Sequence, residues 1–239
     1  MEAPPLLVVQ LLGGNVVTAA CVLSCLNTAD ATALRRLHPT LAAGIAAVPW
    51  ADTATPVRDT VKWRAALPVA TGLKLGSTCP YPLHRGKTWV TLGGVTVLDL
   101  AGCQIPANDN AIAHLPPTLR KLNVSWCRCV TQHASFTHLP ALEWLDCSRT
   151  VAVAAGVAHL PPSLRELHMN GCKLPNTADF SHLRHLQVVI RHRGWKQHAL
   201  SAATVASLPL SLEVLDVSVP TFLAPLPGNR LAVGGDSSM

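Results

Sequence analysis

Histidines recur along this chain at spacings that could serve metal binding. Four of them each precede a leucine, at steps of 24, 21 and 23 residues: His114, His138, His159 and His182. Imidazole is a common metal ligand, and His182 is followed three residues later by His185. No glutamate lies beside this pair, unlike in the H-E-x-x-H motif of zinc hydrolases. We therefore predict structural roles for these histidines, with no metal ion and no cofactor bound.

Thiol chemistry is the second possibility, because the chain has eight cysteines. No CxxC pair occurs among them, so their spacing is not that of a zinc ribbon. The Cys127-Arg-Cys129 pair could be redox-active. The alternative is that the cysteines are reduced and packed inside as small apolar groups. Reduced cysteines suit an intracellular protein, and we predict a cytoplasmic location on this basis.

The sequence contains no motif typical of an enzyme. A phosphate loop, a G-x-S-x-G elbow and an H-E-x-x-H zinc motif are all missing. The net charge of +6 is modest for 239 residues, so it permits acidic partners without demanding nucleic acid. We predict a non-catalytic protein with a protein partner, and we expect no nucleic acid.

An internal repeat determines which elements position these side chains. "HLPPTLRKLNVSWC" (114–127) and "HLPPSLRELHMNGC" (159–172) share every leucine and the final cysteine. Both fit the pattern L-x-x-L-x-L-x-x-C/T, with any aliphatic residue at L. The pattern starts at residues 95, 119, 142, 164, 186 and 212, in steps of 24, 23, 22, 22 and 26 residues. The copy that starts at 186 is poorer and fails at Arg191.

This pattern and its spacing resemble the leucine-rich repeat. The amino-acid sequences of the repeats, with LPPSLREL and a cysteine at the turn, are similar to those of leucine-rich repeat proteins common in trypanosomatid protists. The resemblance implies an α/β solenoid. Each L-x-L segment would be a short strand of a parallel sheet on the concave face. Prolines in the "HLPP" segments favour turns or short helices on the convex face. The histidines would then occupy equivalent corners of successive repeats, and Cys103, Cys127 and Cys172 would form a buried ladder.

Outward-facing strand positions in such a sheet would line one concave surface. Tryptophan and arginine are frequent among the residues that dominate binding energy at interfaces. We therefore predict an interaction scaffold that binds a macromolecular partner through this face. Its predicted partner-binding residues are Lys121, Asn123, Trp126, Trp144, Asp146, Arg149, Glu166, His168, His192 and Arg193. Ser125 and Ser148 are assigned to the same face, and the alternative is that the two tryptophans only cover neighbouring strands.

Residues 1–66 do not follow the repeat and are predicted to form a helical head that caps the solenoid. Two helices are expected within residues 22–39, with Asn27 or Thr28 capping the second and Pro39 ending it. This segment also resembles an F-box, on Val22, Leu23, Leu26, Asp30 and Leu34. An F-box would imply a substrate receptor that docks on the adaptor of a cullin-type ubiquitin ligase.

The remaining segments complete the predicted organisation. A linker and a short helix around residues 57–66 lead into about six to seven repeats over residues 67–220, followed by a flexible tail over residues 221–239. Residues 1–26 are apolar but carry no lysine or arginine, so we favour a buried helix over a secretory signal and expect no membrane insertion. A secreted or surface repeat protein remains the alternative. The basic stretch 191–198 interrupts the repeat and could meet an acidic partner.

Overall fold

The computed structural model describes residues 21, 25–76, 92–103, 108–155, 157–192 and 200–218. The helices are α1 (Thr28–Arg35), α2 (Pro39–Ala47), α3 (Thr60–Ala66), α4 (Asp109–Ala113) and α5 (Ala202–Ala206). The strands are β1 (Ala51–Val57), β2 (Gly72–Leu75), β3 (Val97–Asp99), β4 (Lys121–Asn123), β5 (Trp144–Asp146), β6 (Glu166–His168), β7 (Val188–Ile190) and β8 (Val214–Asp216). Within these ranges, no helix is long and apolar enough to cross a bilayer.

All the described strands pair in parallel, in chain order from β1 to β8. From β2 onward the register is constant, and it aligns one aliphatic residue per strand: Leu73, Leu98, Leu122, Leu145, Leu167, Val189 and Leu215. Parallel neighbours need a crossover connection, and here each crossover is one coil of the solenoid. The predicted leucine-rich repeat solenoid is confirmed.

The inward side chains of the repeats form one hydrophobic core, which is less complete at the last described repeat, where Leu212 and Leu215 are only partly buried. The three cysteines predicted as a ladder, Cys103, Cys127 and Cys172, are fully buried, and so is Cys147. The Cys127 thiol lies 3.0 Å from the Leu100 carbonyl oxygen, and the Cys172 thiol lies 3.1 Å from that of Cys147. Each of these two thiols therefore donates to a strand-end carbonyl of the preceding repeat, which satisfies turn backbone inside the core.

The convex side consists of turns and short helices, as the prolines predicted. Phe136 and Phe180 fill the space behind the strands and are almost fully buried. Helices α4 and α5 are five residues each and begin at capping side chains, Asn108 and Ser201, which accept backbone N–H hydrogen bonds. Each of these one-turn helices forms part of the connection between two successive strands.

The head packs on the first repeat. Asn27 caps α1 by accepting the N–H of Asp30 at 2.9 Å, as predicted. Pro39 begins α2, so the prediction that it ends a helix was wrong: α1 already ends at Arg35, and proline suits the first turn of the next helix. Buried side chains of both helices join the core of the repeats, namely Ala31, Leu41 and Ile45.

Residues 51–57, which the sequence analysis interpreted as part of a linker, form strand β1. The linker interpretation was wrong because it took Pro56 as a sign against a strand. Strand β1 lies at the edge of the sheet, where a residue without an N–H is tolerated. The register of β1 against β2 shifts between Asp52 and Pro56. The domain bounds 1–66, 67–220 and 221–239 stay a prediction. The residues 1–20, 22–24 and 219–239, with the F-box-like Val22 and Leu23, lie outside the described ranges.

Candidate functional site

The outward side chains of the sheet form two rows, one on each side of the buried leucine row. The register places Lys121, Trp144 and Glu166 next to one another in the first row. It places Asn123, Asp146 and His168 next to one another in the second row. Six of the predicted residues are therefore neighbours on the concave face of strands β4 to β6.

The residues of β5 and β6 contact each other directly. The ring of Trp144 lies 5.2 Å from that of His168, at an interplanar angle of 49°. The Nε2 atom of His168 lies 2.6 Å from Glu166 Oε1. All three side chains are half-buried. Trp144 thus covers its neighbouring strand in part, while it leaves one surface exposed to a partner.

Asn123 and Asp146 also have a structural task that the sequence analysis did not predict. The side-chain oxygen of Asn123 accepts the N–H of Ser125 at 2.9 Å, and that of Asp146 accepts the N–H of Ser148 at 2.8 Å. These Asx turns end the strands. Asp99 and Asp216 make the same bond to the residue two positions later. The recurrence of Asp or Asn at the middle position of the L-x-L segment was the sequence signal.

The same turns correct the assignment of two serines to the open face. Ser125 and Ser148 are only 7% and 6% exposed. The hydroxyl of Ser148 accepts the N–H of Asn170 at 3.0 Å, so it serves the next repeat. Because the Asx turn redirects the chain, side chains beyond the third strand residue no longer alternate between the two sides of the sheet.

An open pocket of about 320 Å³ lies on the concave face between β1 and β5. It is lined by Lys121, Asn123 and Trp144, together with Thr53 and Asp99. Its surroundings carry more acids than bases. Acidic side chains of the two rows are Asp99, Asp146, Glu166 and Asp216, and the basic ones are Lys74 and Lys121. Lys74 is 3.3 Å from Asp99, which neutralises part of this charge.

His192 lies beside the last described strand. Its Nε2 is 2.9 Å from Asp216 Oδ2, and its backbone N–H donates to the side chain of Asn170 at 2.7 Å. Burial raises the pKa of Asp216, but the hydrogen bonds from His192 and Ser218 outweigh it, and the pKa lies below its ordinary value. Arg193 and the rest of 193–199 lie outside the described residues.

Trp126 and Arg149 lie in the turns that follow β4 and β5, beyond the strands themselves. Both have a positive φ, 61° and 59° respectively. The Arg149 guanidinium carbon is 5.3 Å from the centre of the Trp126 ring, a cation–π arrangement. A second open pocket, of about 440 Å³, surrounds this pair, and its lining includes Arg128 and Lys173. We call these four residues the edge pocket.

The histidines and cysteines considered first lie elsewhere. His138 and His182 are half-buried at convex corners, and burial lowers the pKa of His138. Among the described residues, no three His, Cys, Asp or Glu side chains are grouped so as to hold a metal. Burial raises the pKa of Cys127 to about 12, whereas Cys129 is exposed. Cys127 is thus poorly suited to redox chemistry at neutral pH, because the thiolate is the reactive form.

Comparison with known proteins adds little to this picture. No protein-family model matches the chain, and no curated protein matches it significantly. Solved structures do match, among them the crystal structure of a TLR13–ssRNA13 complex, with a TM-score of 0.47 and 19% sequence identity. The similarity covers 74% of this chain and 30% of that chain, so the protein spans less than a third of its length. On the evidence of its own repeat register and parallel sheet, the chain is a leucine-rich repeat solenoid with a helical N-terminal cap.

Proposed function

We propose that this protein is a non-catalytic scaffold that binds a protein partner through the concave face of its solenoid. One observation carries the proposal: six polar or aromatic side chains stand in two aligned rows above a fully buried aliphatic row. The buried row holds the strands in place, so the outward side chains are presented on a rigid support. Rigid presentation lowers the conformational entropy that the scaffold itself loses on binding.

The chemistry of the face suits a protein partner. Trp144 offers a half-exposed aromatic ring next to the 320 Å³ pocket, and Lys121 beside it is an exposed cation. Aromatic anchors with charged neighbours are typical of the centre and rim of protein interfaces. The mixed charges of the two rows would orient the partner.

Affinity capture of the full chain from its own cells, with mass spectrometry, identifies the partner. Its dissociation constant is then measured for the wild type and for Lys121→Glu plus Trp144→Ala. We expect at least about a hundredfold weaker binding for the double variant, since an aromatic hot spot and a charge are both lost. Arg184→Glu plus Leu210→Ala is the matched control, because both residues are exposed and lie outside the strands. Equal affinity of both double variants would contradict the proposal.

The F-box alternative has a test of its own. Leu26 and Leu34 pack against the hydrophobic core, which supports a plain cap rather than a docking helix. Capture of a cullin adaptor by the wild type, and its loss in Leu23→Asp plus Leu26→Asp, would establish the F-box function instead. The variant's thermal unfolding has to be measured alongside, since Leu26 also contributes to packing.

The cytoplasmic location is likewise proposed. No disulfide joins the described cysteines, which supports a reducing compartment. N-terminal sequencing of the protein from its cells tests this, because cleavage within residues 1–26 would establish the secreted alternative.

A further inference from the structure

Two neighbouring repeats carry large side chains where the backbone favours glycine. Trp126 and Arg149 have φ values of 61° and 59°, in the left-handed region. The equivalent turns of the flanking repeats carry Gly102 and Gly171, with φ values of 71° and 68°. Glycine adopts this conformation freely, whereas tryptophan and arginine are strained there. Strained residues of this kind persist where their side chains are needed.

The side chains of Trp126 and Arg149 contact each other, and the arrangement extends over the turns of three successive repeats. Arg149 lies over the ring of Trp126 at 5.3 Å. It has room to do so because the next turn carries Gly171: a Cβ atom there would lie 2.7 Å from Arg149 Cδ. Trp126 remains 58% exposed. The row therefore offers an open aromatic surface with a guanidinium beside it.

The edge pocket is basic, and none of the described residues that line it is acidic. Arg128 and Lys173 follow the turn positions of their repeats by two residues and line the pocket with Arg149. In the part of the chain that the structure describes, ion pairs join Lys62, Lys74 and Arg120 to carboxylates. The three cations of the pocket make none. Its charge is thus opposite to that of the acid-rich concave face, and it is available to a ligand.

We propose that the edge pocket binds an acidic segment of the protein partner, with clustered Asp or Glu carboxylates against Arg128, Arg149 and Lys173. An apolar side chain of that segment would lie on Trp126. This inference rests on the proposed function and names the chemistry that the partner supplies. Hydrogen bonds between guanidinium or ammonium groups and carboxylates are roughly twice as strong as neutral ones.

A peptide fits the pocket better than a single-stranded nucleic acid does. Nucleic-acid strands are bound along cationic grooves that offer successive stacking rings. Here one aromatic ring is present, Arg149 lies over it, and the flanking turns carry Gly102 and Gly171. Among the described residues, the cations Arg128, Arg149 and Lys173 all line this one pocket of about 440 Å³.

The test measures binding of a fluorescein-labelled peptide of ten glutamates by anisotropy at low salt. Two variants remove the pocket: Trp126→Gly plus Arg149→Gly, and Arg128→Ala plus Lys173→Ala. The first introduces the residue that the flanking repeats already have, so the fold is expected to be kept. The control, Arg165→Ala plus Arg184→Ala, removes two positive charges from exposed positions outside the pocket, as many as the second pocket variant and one more than the first. We expect at least about tenfold weaker binding for both pocket variants, and less than about twofold for the control.

Three results would overturn the inference. Equal weakening in the control would mean that the peptide responds to net charge alone. Tighter, pocket-dependent binding of a labelled ten-residue oligothymidylate would make the pocket a nucleic-acid site. Unchanged peptide binding in both pocket variants would exclude the pocket.

The captured partner separates this inference from the proposed function. Loss of the partner in Lys121→Glu plus Trp144→Ala, with full binding to both pocket variants, would leave the scaffold function standing and refute the edge pocket. Loss in the pocket variants as well, with competition by the glutamate peptide, would support both. Full binding to every variant would refute both.

Discussion

The inner row and the turn edge of these repeats differ in how strictly they repeat. In strands β3 to β7 the row holds one aliphatic residue per repeat, each with 0 or 1% exposure: Leu98, Leu122, Leu145, Leu167 and Val189. The edge holds residues of three kinds on one backbone conformation: Gly102, Trp126, Arg149 and Gly171. Packing in the core therefore accounts for the residue type in the row. At the edge, Trp126 and Arg149 occupy a backbone conformation that favours glycine. The comparison indicates that the residues repeated in every coil determine the fold. Binding residues are best sought at positions where the repeat sequence varies.

The largest effect should come from breaking the inner row. Leu145→Ala removes a fully buried side chain and is expected to lower the free energy of unfolding by about 3 kcal/mol. Leu210→Ala is the control, because Leu210 is fully exposed, and it should change stability by less than about 0.5 kcal/mol. Urea denaturation measures both. Similar values would mean that the row does not hold the solenoid together.

Asp52 ties the head to the sheet, and its loss should have the next largest effect. Its carboxylate accepts two hydrogen bonds from Thr28, both of 2.7 Å, and one of 2.7 Å from the N–H of Ala54. Asp52→Ala removes the acceptor of all three hydrogen bonds and should lower the free energy of unfolding by about 2 kcal/mol. Circular dichroism during urea denaturation at pH 7 tests this.

The same carboxyl predicts a pH dependence. Burial raises the pKa of Asp52, but hydrogen bonds from Thr55, Thr28 and Ala54 outweigh it and lower the pKa from 3.8 to about 2. A lowered pKa in the folded state contributes stability above the unfolded value and loses it as the pH falls toward the folded value. The stability difference between wild type and Asp52→Asn should therefore shrink between about pH 4 and pH 2. A constant difference over that range would contradict the assignment.

Alanine substitutions at Gly102 and Gly171 distinguish the effect of backbone strain from the effect of contact with Arg149. Gly102→Ala and Gly171→Ala both place a Cβ at positive φ, so each should lower stability by about 1 kcal/mol. The Cβ at 102 meets nothing within 4 Å, whereas the one at 171 would displace the side chain of Arg149. Only Gly171→Ala should therefore weaken binding of the glutamate peptide. Equal binding by the two variants would show that the position of Arg149 is immaterial.

The smallest effect is expected from Trp126→Gly. Relief of the strained φ and the loss of the ring oppose each other, so stability should change by less than about 1 kcal/mol. Trp126→Ala keeps the strain and should be about 1 kcal/mol less stable than the glycine variant. This order is the reverse of the one usual in helices and strands. Thermal unfolding of the wild type and both variants tests this: a glycine variant more than about 1 kcal/mol less stable than the wild type would show that the ring of Trp126 is a structural cover.

The repeat made the sheet, its register and the cysteine ladder predictable, because burial imposes the same residue type at the same spacing. Strand β1 was missed because Pro56 and polar neighbours imitate a linker. The Asx turns of Asn123 and Asp146 were missed because strand alternation was extended past the strand end. Aligning Gly102 and Gly171 with Trp126 and Arg149 would have indicated the turn conformation, since glycine marks positive φ. What the side chains bind does not follow from periodicity.

Four successive repeats each contain a buried cysteine, and the reactivity of its thiol can show when that repeat unfolds. Cys103, Cys127, Cys147 and Cys172 lie in four successive coils, and all are fully buried. Because the pKa of Cys127 is raised to about 12, its closed repeat resists alkylation at neutral pH. A solenoid opens repeat by repeat, with nearest-neighbour coupling, so the order in which these thiols become reactive traces the route along which the molecule unzips.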